Sequence, residues 1–123
     1  MSRIILHITK RKQWEQSKSD GKYLGDTLSS QGFIHCSTPN QIIKVANALF
    51  KGQKELVLLC IDSAKVKAEI HYESIEGNEK YPHIYGPLNI DSVIKVLDFE
   101  PDRDGKFKLS KEIQNIAVTN RNK

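Results

Sequence analysis

Apolar and polar residues alternate in several short stretches of this chain, and that period of two predicts more strand than helix. Ile4, Leu6 and Ile8 alternate with Ile5, His7 and Thr9, a strand over residues 3–9. Residues 10–18 are polar and helix-compatible around Trp14, and a turn signal follows at Ser19, Asp20 and Gly21. Residues 23–31 read as a loop with a short helix that Gly32 stops. Phe33, His35 and Ser37 then alternate with Ile34 and Cys36, a short buried strand. It runs straight into a helix over residues 40–50. Pro39 suits the first helical position, Thr38 and Gln41 have the spacing of a capping box, and Ile42, Val45, Ala46 and Leu49 share one stripe.

The most hydrophobic run, residues 56–61, predicts a buried central strand. Val66, Ala68, Ile70 and Tyr72 alternate with Lys67, Glu69, His71 and Glu73, a half-exposed strand, and residues 74–80 form a polar loop. Residues 81–85 are a short strand closed by Gly86 and Pro87. Residues 91–99 are another, begun by a helical turn at 89–92. A hairpin turn at 101–105 leads to residues 106–109, and the rest carries scattered Ile113, Ile116 and Val118, a loosely held tail. The expectation is one α+β domain over residues 1–110, with mainly antiparallel sheets and a few short helices, and a tail over 111–123.

Composition narrows the function classes. In 123 residues, 38% hydrophobic and 28% charged content suits a globular chain large enough for one core. No apolar run approaches a bilayer span, and the N-terminus lacks a signal-peptide pattern, so no membrane partner is expected. Cys36 and Cys60 lie in apolar runs, which favours reduced thiols and a cytoplasmic location. The net charge of +4 reads first as a lysine-rich solvated surface, second as a weak attraction for polyanions or phosphorylated small molecules.

Three of the four histidines share a strand face with a hydroxyl-bearing residue two positions on: His7 with Thr9, His35 with Ser37, His83 with Tyr85. Their recurrence on three strands points to faces converging on a cleft. Zinc is one candidate, but no HxH, HxxxH or CxxC spacing occurs. A Cys36–His35 nucleophile is geometrically poor because adjacent strand residues face opposite ways, and capping explains Ser37 and Thr38 as well as nucleophilic chemistry does. A nucleotide pocket uses all the features at once. Imidazole and hydroxyl groups would bond ribose, Tyr23, Phe33 or Tyr85 would stack on a ring, and the helix N-terminus would receive a phosphate.

The blocks Ile5-Leu6-His7-Ile8-Thr9, Gly32-Phe33-Ile34-His35-Cys36-Ser37 and Tyr81-Pro82-His83-Ile84-Tyr85-Gly86-Pro87-Leu88, with Trp14, Gln41 and residues 56–62, resemble the bacterial and plant family called domain of unknown function 952, from about Ile4 to Leu109. That family name carries no activity. A more distant likeness is to the ADP-ribosyltransferase superfamily, and it implies split antiparallel sheets and NAD as substrate or ligand. On that resemblance His7 and Thr9 correspond to the residues that bind the NAD ribose. His35, Ser37 and Thr38 correspond to a second strand opening a helix, and His83 stands where the third motif often has Glu. A histidine brings no negative charge to an oxocarbenium-like transition state, which leaves Glu69, Glu73 or Glu79 to supply a carboxylate.

The expected site is therefore catalytic His7, His35 and His83, with Thr9, Ser37, Thr38 and Tyr85 binding the ligand and no metal. The expected partner is a small-molecule nucleotide, with RNA a second candidate because one branch of that superfamily removes a 2′-phosphate from RNA. The alternatives are a non-catalytic nucleotide- or RNA-binding module and a histidine-dependent metal hydrolase.

Overall fold

The computed structural model describes residues 3–74 and 77–121. Its frame is an antiparallel three-stranded sheet in the order β1 (Ile4–Lys10), β4 (Leu56–Asp62), β8 (Val93–Phe99). Central β4 is buried on both faces, which is why its sequence is continuously apolar rather than alternating. Ile5 of β1 and Val57, Leu59 and Ile61 of β4 pack on one side with Trp14, Tyr23, Ile34, Ile84 and Leu88. Leu6, Ile8, Leu56, Leu58 and Cys60 pack on the other with Ile42, Ala46, Phe99, Phe107 and Ile113.

A second antiparallel sheet has the order β3 (Ile34–His35), β6 (Tyr81–Tyr85), β5 (Glu69–Glu73), and a small ladder joins β2 (Lys22–Tyr23) to β7 (Leu88–Asn89). The helices are α1 (Arg11–Asp20), α2 (Leu28–Gln31), α3 (Ile42–Leu49) and α4 (Lys111–Arg121). The chain is thus α+β with mainly antiparallel sheets and few helices. Gly32 ends α2 at φ 87°, its N–H donating to Leu28 O at 2.9 Å, a backbone conformation that favours glycine.

Four local expectations are corrected. The strand expected over residues 33–37 pairs only at Ile34 and His35, with Ser37 forming a separate bridge to Leu6. The helix after it begins at Ile42, not Pro39. Gln41 Oε1 accepts from the Thr38 N–H at 3.0 Å, but Gln41 Nε2 donates to Lys80 O at 2.7 Å, so residues 38–41 form a turn tied to the segment before β6. Residues 106–109 form no strand, because the Asn47 side chain takes both the N–H and the C=O of Phe107, at 2.7 and 3.1 Å, in place of a ladder.

The supposed tail is α4, and it is docked. Ser110 Oγ accepts from the Ile113 N–H at 3.2 Å, Ile113 is 1% exposed, and the Asn120 amide accepts from Ile4 N at 3.0 Å and donates to Ile4 O at 2.9 Å. Of the loop expected over residues 74–80, positions 75 and 76 lie outside the described residues.

Candidate functional site

A backbone bridge ties β1 to the segment that follows β3. Leu6 N donates to Ser37 O and Ser37 N to Leu6 O, both at 2.8 Å. Beyond that bridge β1 forms the edge of its sheet, and a cleft of about 740 Å³ opens between it, β3, β6 and α3. His7, Thr9, Gln31, His35, Ser37 and His83 line its polar end, and Ile8, Ile42, Val45, Leu49 and Phe50 line its apolar end.

Register makes the polar end. His35 lies directly opposite His83, and His83 opposite His71, a row of three histidines across β3, β6 and β5. The rings of His35 and His83 are 5.2 Å apart and edge to face, while Phe33 stacks on His83 at 4.1 Å. The other faces of these strands put Ile34, Ile70 and Ile84 in the core.

Each imidazole is anchored differently. His7 Nδ1 lies 2.5 Å from His35 O, an oxygen that only accepts, so Nδ1 carries the proton and Nε2 accepts from Tyr23 Oη at 2.6 Å. Burial pushes the His7 pKa down to about 4, and burial likewise raises that of the Tyr23 phenol. His35 Nε2 donates to Gln31 Oε1 at 2.7 Å, and burial followed by the neighbouring His83 lowers its pKa. His83 is 1% exposed, and its Nδ1 donates to Glu73 Oε1 at 2.9 Å. Its Nε2 is buried and has no hydrogen-bond partner among the described residues. Glu73 Oε1 also accepts from Tyr85 Oη at 2.5 Å, and these two bonds, Tyr85 first, hold the Glu73 carboxyl below its ordinary pKa.

The structure gathers His7, Thr9, His35, Ser37 and His83 at one cleft. The Thr9 hydroxyl donates to Gln13 Oε1 at 3.1 Å, and Gln13 passes the chain on to Asp26 at 3.0 Å. Thr38 and Tyr85 fall outside the lining residues, and so does Phe33. Tyr23 lines the cleft but is almost fully buried. The aromatic residues that do line the cleft with their rings less deeply buried are Phe50 and Tyr81. Glu73, His71 and Gln31 are the participants that sequence reasoning placed on exposed or loop positions. The sequence offers Glu69, Glu73 and Glu79 alike, and only strand register singles out Glu73, because its contact is with a residue ten positions away on the next strand.

Cys36 and Cys60 are buried free thiols; burial raises both pKa values, that of Cys60 to about 11, so neither is poised as a thiolate. Among the described residues no group of three or more His, Cys, Asp or Glu is placed to hold a metal ion, and no helix is long and apolar enough to cross a membrane.

The same architecture occurs in protein CC0527 from Caulobacter crescentus. Its crystal structure is 30% identical in sequence with a TM-score of 0.83, covering 90% of this chain and 98% of that one, and a double mutant of it gives the same values. Its solution structure is 31% identical with a TM-score of 0.77, covering 89% of this chain and 95% of that one. No curated protein matches. A family model described as a protein of unknown function, DUF952, matches residues 8–96, and the chain belongs to that family.

Proposed function

We propose that the cleft binds NAD or a related nucleotide and that the protein cleaves or transfers at its ribose, as in ADP-ribosyltransferases. The observation that carries this reading is the buried His83 Nε2. A buried imidazole nitrogen without a partner costs roughly 1–3 kcal/mol, and its neighbour His7 shows that this fold can satisfy both nitrogens where the role is structural. In the neutral ring Nδ1 donates its proton to Glu73, so Nε2 is an acceptor that suits the hydroxyl reacting at the ribose.

Two further features favour NAD. In an antiparallel strand the backbone groups of residues i and i+2 point to the same edge, so the Ile8 N–H and C=O follow those of Leu6 into the cleft. One donor beside one acceptor complements a primary carboxamide, the polar group of nicotinamide. Lys10 lines the same cleft and brings positive charge for a pyrophosphate, Lys44 being paired with Glu79, while Ile42, Val45, Leu49 and Phe50 offer an apolar wall to a base. In this arrangement His83 orients the reacting hydroxyl, His35 adds a second acceptor beside it, and His7 positions His35 through its carbonyl.

Thermal-shift titration with NAD, ADP-ribose, nicotinamide and nicotinic acid tests the reading. NAD and nicotinamide are expected to raise Tm, and nicotinic acid is expected to fail because its carboxylate faces the Ile8 carbonyl. Equal response to the amide and the acid, or none to any of the four, would contradict it.

A further inference from the structure

We infer that Glu73 and His83 act together as a general base that activates an O–H acceptor, water or an alcohol, in the ribosyl reaction proposed above, on which this inference rests. The sequence places no carboxylate at the third motif position, and the structure supplies one behind the histidine instead. Glu73 sits on β5, two residues beyond the residue paired with His83, and their side chains share a face. Its Oε1 accepts hydrogen bonds from His83 Nδ1 at 2.9 Å and from the Tyr85 hydroxyl at 2.5 Å. The first bond fixes the tautomer with Nε2 bare, and the second fixes the carboxylate that does so. Phe33, stacked on His83 at 4.1 Å, restricts rotation of the ring.

A carboxylate on Nδ1 also stabilises the imidazolium that forms when Nε2 takes a proton, which is what a base in a low-dielectric site requires. The step balances as follows. The acceptor oxygen bonds to ribose C1′ as the C1′–N bond breaks, and the electron pair of that bond leaves with nicotinamide, which departs neutral. His83 Nε2 takes the acceptor's proton and later releases it to solvent. NAD and an alcohol thus become an O-linked ADP-ribosyl glycoside, nicotinamide and one proton. With water as acceptor the product is ADP-ribose. Glu73 touches no reacting atom and is a positioning residue; His83 is the catalytic one.

The test uses the full chain and its Glu73→Gln and Glu73→Ala variants, with nicotinamide release from NAD, NAD affinity by calorimetry, and histidine nitrogen-15 NMR. In the native protein the neutral His83 is expected to carry its proton on Nδ1. Glu73→Gln keeps an acceptor and therefore the tautomer, and loses part of the rate. Glu73→Ala is expected to mix the tautomers and slow release on the order of 10²-fold with NAD affinity unchanged. A native His83 protonated on Nε2 would overturn the inference whether or not either variant folds. If NAD binds and release is indifferent to Glu73, the base assignment alone falls. If NAD does not bind, the functional reading falls and the base assignment with it.

Discussion

Leu6 and Ser37 exchange two backbone hydrogen bonds of 2.8 Å, and that bridge joins the β1 sheet to the turn leading into α3. It sets the cleft's inner limit, because past it β1 and β3 separate and leave room for a ligand. Replacing Ser37 with Pro removes the N–H that bonds Leu6 O and leaves a buried acceptor. The unfolding free energy is expected to fall by about 1–3 kcal/mol. Ser37→Ala keeps both backbone bonds, so urea unfolding should show little change for it while NAD affinity falls. Loss of stability in Ser37→Ala equal to that in Ser37→Pro would show that the side chain, not the bridge, matters.

Tyr23 and His7 form a buried pair whose loss should be costly. Tyr23→Phe removes the only partner that His7 Nε2 has among the described residues, and is expected to destabilise by about 1–3 kcal/mol in urea titration. An unchanged midpoint would mean that water serves His7 equally well.

Stability should also depend on pH through His7. Its folded pKa is near 4 and its ordinary value is 6.5, so between those values the unfolded chain holds the extra proton. Stability contributed by the neutral ring is complete above about pH 6.5 and is lost as pH falls towards 4. The lowered His35 acts in the same direction. At 1.36 kcal/mol per pKa unit the His7 share reaches about 3 kcal/mol, so urea unfolding at pH 7 and pH 4.5 is expected to differ by several kcal/mol. His7→Gln should flatten that slope. A slope unchanged in the variant would place the titration elsewhere.

The C-terminal helix gives a prediction about the fold itself. Removing residues 111–123 exposes Phe107, Leu58 and Phe99 and frees Ile4 from Asn120, and circular dichroism should show no cooperative transition for the shortened chain. Ile113→Ala alone is expected to cost about 2–5 kcal/mol. A stable truncated domain would show that α4 is dispensable.

Much of this architecture was legible from the chain. The alternation around His7, the continuous apolar run over residues 56–61 and the short strand Tyr81–Tyr85 all form strands, because each pattern matches the number of faces its strand buries. What escaped the sequence depends on partners distant along the chain. Residues 106–109 lose their ladder to Asn47, and α4 is held by one asparagine reaching a residue 116 positions away. The site follows the same division. The histidines of the cleft are visible as polar intruders on strand faces, whereas Glu73 stands level with Glu69 and Glu79 as a candidate carboxylate until β5 is set against β6 in register.

The most direct measurement is amide chemical-shift mapping of the isotope-labelled chain titrated with NAD. The expected result is saturable shifts clustered at residues 7–10, 34–37 and 81–84, absent when nicotinic acid replaces NAD. Shifts scattered over α4 and β8 instead, or no shifts at millimolar NAD, would contradict the assignment of the His83 cleft as a nucleotide site.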